Sequence, residues 1–144
     1  MKKRLYIIII ILSSLNILFL SCKKPKQERN PYLKDFSFNR EINLDLPQYS
    51  PLKFANNSVL IKEIGIKGVI VFNTGSQFLA WEASDPNHFP SSCSTMEPSQ
   101  FTCSCPCEGN KYSLYDGQII NGNGSYTLKP YHVSVNGNIL IIYN

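Results

Sequence analysis

The stretch that decides the fold runs from residue 101 to residue 112 and reads FTCSCPCEGNKY. It places Cys103, Cys105 and Cys107 within five positions, beside a proline, a glycine and an aromatic residue. Upstream, residues 81–93 read WEASDPNHFPSSC and supply a histidine and a fourth cysteine. Clustered cysteines and histidines are typical of metal sites and disulfides. The two segments therefore mark a candidate site.

The spacing of these cysteines limits how they pair. On an extended chain alternate side chains share one face, so we expect the three sulfurs on the same side. The Cα atoms of residues i and i+2 in a strand lie roughly 6.5 Å apart, which is near the upper limit for an unstrained disulfide. Cys93 is then the natural partner for one of Cys103, Cys105 and Cys107, and the spacing leaves open which one.

Strand and turn signals dominate the rest of the chain. Residues 40–46 and 131–135 alternate with a period of two, which is typical of strands. The dipeptide Asn136-Gly137 predicts a tight hairpin into residues 139–143, because both residue types tolerate positive φ.

A second hairpin is predicted around residues 73–76. The apolar runs on either side, 68–72 and 77–81, are continuous rather than alternating, which indicates strands covered on both faces. Short strands separated by Gly, Asn and Pro turns predict an all-β sandwich or partly open barrel. The cysteine segments interrupt it at about residues 81–112.

These segments resemble the two loops of the Rieske [2Fe-2S] domain. Residues 105–112 are similar to the second Rieske loop, usually Cys-Pro-Cys-His-Gly-Ser followed by an aromatic residue. The resemblance covers about residues 58–143, and residues 72–75 and 86–88 are similar to small Rieske-like lipoproteins of flavobacteria and their relatives. The downstream motifs follow in the usual order: DG at 116–117, NGNG at 121–124 and LKPY at 128–131.

The resemblance implies a Rieske-like antiparallel β fold with a two-loop cluster-binding subdomain, and it assigns the ligand positions. In a Rieske site each loop gives one cysteine to the first iron and one histidine to the second. Cys105 stands at the cysteine position of loop two and His88 is the candidate histidine of loop one. Asp85 stands at or near the remaining cysteine position, one residue further from His88 than in the family, and Glu108 replaces the remaining histidine.

The resemblance also assigns Cys93 and Cys107 to the disulfide that braces the loops, and it leaves Cys103 unassigned. Carboxylate oxygens are harder donors than thiolate or imidazole and suit iron–sulfur clusters poorly. Two functions follow: one-electron transfer to an unidentified redox partner through a [2Fe-2S] cluster, or a cluster-free structural or interaction module stabilised by the disulfide. A zinc site built from the four sulfurs is a weaker alternative, and no catalytic motif is found, so no enzyme activity is expected.

The N-terminus predicts export and lipidation. A basic start precedes an apolar run from Leu5 to Leu20, and Ser21-Cys22 resembles the bacterial lipobox, in which Cys22 is acylated. Phe19 departs from the usual aliphatic residue. An uncleaved anchor helix is the alternative, but the run has 16 residues with polar interruptions, whereas a span needs about 20. We expect a signal peptide at 1–21, a lipidated polar linker at 22–31 and one domain at 32–144.

Cleavage changes the charge balance. The formal net charge is +4, but without the signal peptide 11 basic residues face 10 acidic ones, so nucleic acid is not an expected partner. The basic linker, with Lys23, Lys24 and Lys26, is either solvated or close to anionic headgroups. We expect a monomer anchored to a membrane of the bacterial cell envelope, facing the periplasm or the exterior, where cysteines form disulfides or bind metal.

Overall fold

The computed structural model describes residues 3–4, 29–35 and 37–144. Within residues 29–35 and 37–144 the chain forms ten β-strands and one short 3-10 helix, Pro47–Lys53. The strands are, in chain order, β1 (Asn39–Asn43), β2 (Asn57–Ile61), β3 (Val69–Asn73), β4 (Phe78–Glu82), β5 (Glu97–Ser99), β6 (Thr102–Ser104), β7 (Lys111–Ser113), β8 (Ile119–Asn121), β9 (Pro130–Asn136) and β10 (Ile139–Tyr143). The predicted acylation site Cys22, almost all of the signal peptide and most of the linker lie outside the described residues. Among the helices that the structure describes, none has the length and apolar character of a membrane span.

The described strands form two antiparallel sheets. The larger has the order β1-β10-β9-β4-β3-β2, and the smaller has the order β5-β6-β7-β8. The smaller sheet is inserted between β4 and β9, which pair with each other at Ala80 and Trp81. The all-β expectation is therefore confirmed. The sequence pattern does not predict the helix Pro47–Lys53, because seven residues are too few to show a helical period.

Strand β3 separates two apolar clusters. All five of its residues are buried. Val69 and Val71 belong to one cluster, and Ile70 and Phe72 belong to the other. Since successive side chains of a strand point to opposite faces, the continuous apolar run reflects burial on both faces, as predicted.

Each cluster belongs to one part of the fold. The first takes residues from all six strands of the larger sheet, including Ile42 of β1 and Ile61 of β2 at its two edges, so this sheet curls around its own core. The second lies between the larger and smaller sheets and contains Trp81, Met96 and Tyr112. The smaller sheet carries the candidate site.

Both predicted hairpins are present. Gly137, with φ of 58°, lies in the turn between β9 and β10, and Gly75, with φ of 95°, lies between β3 and β4. The strand predicted at residues 40–46 is shorter, because β1 ends at Asn43. There the Asn43 side chain accepts a hydrogen bond from the backbone N–H of Asp45 at 2.9 Å and turns the chain.

Candidate functional site

Two loops carry the residues that the sequence singles out. The first follows β4 and holds Asp85, His88 and Cys93, and the second lies between β6 and β7 and holds Cys105, Cys107 and Glu108. A disulfide joins Cys93 to Cys107, with the two Cα atoms 5.2 Å apart. This pair is the one that the Rieske resemblance assigns. The hydroxyl of Ser91 lies 3.5 Å from the Cys93 sulfur and 3.6 Å from the Cys107 sulfur.

The three clustered cysteines do not share one strand face. Strand β6 contains Cys103 but ends at Ser104. The following chain turns at residues 106–108, and the N–H of Gly109, whose φ is 72°, donates to the carbonyl of Cys105 at 2.9 Å. The extended-chain expectation was therefore wrong for Cys107, and this turn directs its sulfur to Cys93 while Cys105 stays inside.

Asp85 is the polar centre of the site. Its side chain is fully buried. One carboxylate oxygen, Oδ1, accepts hydrogen bonds from the Tyr112 hydroxyl at 2.7 Å and from the backbone N–H of Asn87 at 2.9 Å. The other, Oδ2, accepts from the Asn110 amide at 3.2 Å. A buried carboxylate is tolerated only when its oxygens are satisfied in this way.

The network continues through two asparagines to the glycine-rich segment at residues 121–124. The Asn87 amide donates to the Tyr112 hydroxyl at 2.9 Å and to the Tyr126 carbonyl at 2.8 Å. A Cβ on Gly124 would lie 2.3 Å from Cγ of Asn87, and a Cβ on Gly122 would lie 2.2 Å from Oδ1 of Asn110. The two glycines are therefore needed for close approach to the network, which explains the NGNG motif structurally.

His88 and Glu108 meet at the outer edge of the site. Nε2 of His88 lies 3.9 Å from Oε1 of Glu108, and the two side chains are 24% and 50% exposed. Nδ1 of His88 is buried and makes no hydrogen bond with any described residue. Asp85 and Glu108 have separate partners, since Asp85 accepts a hydrogen bond from Tyr112 and Glu108 faces His88.

The two remaining cysteines are buried thiols. Burial raises the pKa of Cys103 to about 12, with a smaller contribution from the charge of Asp85, and its sulfur lies 3.7 Å from the Met96 sulfur. Burial also raises the pKa of Cys105, and a hydrogen bond to Asp85 acts in the same direction. Burial therefore disfavours the thiolate form of both residues.

The donor set does not fit a [2Fe-2S] cluster. Asp85, at or near the position of a cysteine ligand, uses both oxygens for hydrogen bonds within the fold. Glu108 is a half-exposed carboxylate in the place of a histidine. Among the described residues, no three His, Cys, Asp or Glu side chains are grouped as metal ligands. A zinc site from four sulfurs is excluded because Cys93 and Cys107 are bonded to each other.

Sequence reasoning missed a second buried carboxylate, Glu82 at the end of β4. It is fully buried and accepts hydrogen bonds from the Tyr131 hydroxyl and from the backbone N–H groups of Ile66, Lys67 and Ser84, at 2.7 to 2.9 Å. Burial and the charge of Glu82 raise the pKa of Tyr131. The sequence feature that could have indicated it is a single charged residue at the end of the apolar run of β4. Glu82 fixes the point where loop one leaves the larger sheet.

The architecture agrees with the Rieske-like fold that the sequence resemblance implies: two disulfide-linked loops beside a small antiparallel sheet, inserted into a larger one. No protein-family model matches the chain, and no curated protein matches it.

Similarity to solved structures is limited to the fold. A complex of reduced oxygenase and oxidized ferredoxin in carbazole 1,9a-dioxygenase contains a chain with a TM-score of 0.47 and 19% identity, over 61% of this chain and 81% of that one. A putative small subunit of nitrite reductase NADPH, described as an oxidoreductase protein, has a TM-score of 0.40 and 20% identity, over 72% of this chain and 97% of that one.

Proposed function

We propose that this protein is a lipid-anchored interaction module of the bacterial cell envelope, in which a Rieske-like domain works without a [2Fe-2S] cluster. The observation that carries the proposal is the buried Asp85. It stands at or near the place where the family has a cysteine ligand, and its carboxylate is hydrogen-bonded to Tyr112, Asn110 and the backbone of Asn87. A carboxylate held in this way organises the two loops directly.

Two features supply the rigidity that a cluster would otherwise give. The Cys93–Cys107 disulfide joins the loops at the outside, and the Asp85 network joins them inside. Loops held on a rigid framework are the usual carriers of binding function. The exposed part of these loops, including Phe89, Pro90 and Pro106, is the surface that the module presents.

Export and anchoring are part of the proposal. The basic start, the apolar run and Cys22 at the end of a lipobox-like sequence support acylation. The disulfide supports an oxidising compartment, since such bonds persist outside the cytoplasm. The domain is then held close to a membrane through Cys22, facing the periplasm or the exterior.

One-electron transfer through a [2Fe-2S] cluster is the competing function. A specific observation favours it: Nδ1 of His88 is buried without a hydrogen bond to the described residues, as a nitrogen reserved for a metal would be. Iron content separates the two functions.

The test uses the full chain, produced with its signal peptide in bacteria that assemble iron–sulfur clusters and purified from membranes in detergent. Visible and EPR spectra, iron content and free thiols are measured on the folded protein. We expect no iron and no visible bands. Denaturation should expose two thiols, Cys103 and Cys105, if Cys22 is acylated.

Two controls make the result decisive. A Rieske ferredoxin produced in the same cells confirms that clusters are being loaded, and a Cys105→Ser variant identifies adventitious iron, which would be unaffected by the change. A [2Fe-2S] spectrum in the parent chain that disappears in Cys105→Ser would overturn the cluster-free function. A third free thiol would overturn acylation while leaving the cluster question intact.

A further inference from the structure

The last part of the linker is fixed against loop one. The Asn30 amide donates to the carbonyl of Pro86 at 2.7 Å, and the Asn30 side-chain oxygen accepts from the backbone N–H of Tyr32 at 2.8 Å. The Tyr32 ring packs edge-on against Phe89 with ring centroids 4.8 Å apart. The linker therefore meets the domain at the end that carries loop one.

This end of the domain exposes aromatic surface. Phe89 is 67% exposed although it is a large apolar side chain. Tyr32 lies between it and Tyr126, whose ring centroid is 6.1 Å from that of Tyr32. In a protein held at a bilayer, tyrosine rings with their polar tips are typical contacts with the headgroup region, and the exposed apolar ring of Phe89 gains by leaving water.

A groove of about 730 Å³ runs beside these rings and is predominantly cationic. Arg29, Lys34 and Lys129 line it, and Asp35 is the one acidic residue among its lining residues. The amino group of Lys129 is paired with Asp35, while Arg29 and Lys34 are exposed. The cationic groups of the groove therefore suit anionic partners, among them the phosphate groups of lipids.

The length of the linker decides which anionic surface is within reach. Cys22 precedes Arg29 by seven residues, which span at most about 25 Å when fully extended. A lipid on Cys22 thus holds the aromatic and cationic end close to the bilayer, and the opposite end of the domain further away.

We propose that Tyr32, Phe89 and the Arg29–Lys34 groove form the surface on which the domain rests on its own anionic membrane. The inference rests on the proposed lipid anchoring and deepens it by naming the partner of loop one. Phe89 enters the headgroup region, and Arg29 and Lys34 pair with lipid phosphates, so the anchored domain has one preferred orientation. Electrostatic attraction of this kind is screened by salt and requires anionic lipid.

The experiment compares two exposed phenylalanines at opposite ends of the same strands. Phe89 follows β4 in loop one, whereas Phe54 lies beside the turn between β3 and β4, and the two are 67% and 68% exposed. Full-length acylated Phe89→Trp and Phe54→Trp variants are reconstituted into vesicles of equimolar phosphatidylcholine and phosphatidylglycerol with brominated acyl chains. The fluorescence of Trp81 in the parent chain is subtracted.

We expect bromine to quench the tryptophan at position 89 several-fold more strongly than the one at position 54. The difference should shrink in high salt, in pure phosphatidylcholine and in a Phe89→Trp chain that also carries R29E and K34E. Equal quenching at both positions, with acylated Cys22 confirmed by mass, would overturn the membrane-facing surface and leave anchoring intact. If the tryptophan emission at position 89 changes with the number of protein chains per vesicle and not with lipid charge, the partner of this surface is a second copy of the chain and the membrane proposal is overturned. A chain recovered without acylation would overturn the lipid anchoring and the membrane-facing surface together, and it would leave the cluster question intact.

Discussion

The two apolar clusters lie on opposite faces of the same strand, yet different interactions hold them. The cluster of the larger sheet consists of aliphatic side chains such as Ile42, Leu52 and Leu140, with one buried tyrosine. The cluster under the smaller sheet contains two thiols, Cys103 and Cys105, and borders the buried carboxylate of Asp85. The larger sheet thus depends mainly on apolar volume, with the buried carboxylate of Glu82 as a polar link, whereas the smaller sheet depends on specific polar and covalent links.

Strand length explains the difference. The four strands of the smaller sheet, β5 to β8, have three residues each, below the usual five or six. Such strands form few ladder hydrogen bonds and bury little area. The disulfide and the Asp85 network supply the missing constraint, so local changes there should loosen the loops before they unfold the larger sheet.

The largest expected effect comes from the core of the larger sheet. Replacing the fully buried Leu140 of β10 by alanine should lower the free energy of unfolding by about 2 to 5 kcal/mol, because it leaves a cavity. Val135→Ala, at a 56% exposed position of the same hairpin, should change it by less than about 0.5 kcal/mol. Denaturant unfolding followed by Trp81 fluorescence measures both. Equal effects would contradict the assignment of Leu140 to the core.

Removal of the disulfide should come next. A Cys93→Ser, Cys107→Ser chain loses a bond that closes a loop with a sequence separation of 14, worth about 2 to 4 kcal/mol. Hydrogen exchange should accelerate in residues 84–110 and change little in β10. The parent chain treated with reductant should behave in the same way. Equal acceleration in β10 would show that the two parts unfold as one unit.

Asp85→Asn sharpens the comparison inside the loops. The new amide group places a donor against the Asn110 donor, which should cost about 2 kcal/mol because a hydrogen bond to a charged group is lost. The control is Asp116→Asn at an exposed turn, because the side-chain oxygen of asparagine can still accept the hydrogen bond from the backbone N–H of Gln118. Thermal unfolding and the exchange rate of Asn87 N–H measure the effect. If Asp85→Asn is as stable as the parent chain, the hydrogen bonds of Asp85 do not stabilise the loops as described.

The smallest effect over the range to be measured, pH 9 to 10, is a pH dependence to which the loop side contributes through Cys103. The pKa of Cys103 is raised from 9.0 to about 12, so the unfolded chain releases this proton first as the pH rises. Stability should be complete below pH 9 and fall between pH 9 and pH 12, by up to about 1.4 kcal/mol per pH unit for one group. The measurement compares how steeply the free energy of unfolding falls between pH 9 and 10 in the parent chain and in Cys103→Ala, and the difference is the contribution of this thiol. Identical slopes would contradict its protonated burial.

Local patterns predicted much of the fold. The Asn136-Gly137 turn and the continuous apolar run of β3 predicted a hairpin and a two-sided strand, and both are present. These features were accessible because turn residues and side-chain periodicity act over a few positions. The turn at residues 106–108 was missed, although Pro106 and Gly109 mark it, because the cysteine spacing was interpreted on an extended chain.

The candidate site was predicted in part. Its position and its cysteines follow from the two motifs, but the partners of Asp85 do not, since Asn87, Asn110 and Tyr112 reach it from separate segments of the chain. Glu82 is a similar case: its donors lie 15 or more residues away as well as next to it. Hydrogen bonds between distant segments leave no periodic trace in a sequence.

The sequence alone determined the β class, the two hairpins and the pairing of two cysteine-containing loops, because these depend on side-chain alternation, turn chemistry and the reach of a disulfide. Only the tertiary structure decided what fills the space between the loops. Burial raises the pKa of the Cys103 and Cys105 thiols, and three donors converge on Asp85. The ionisation of a group and its availability to a metal depend on desolvation and neighbours, which exist only once the chain has folded.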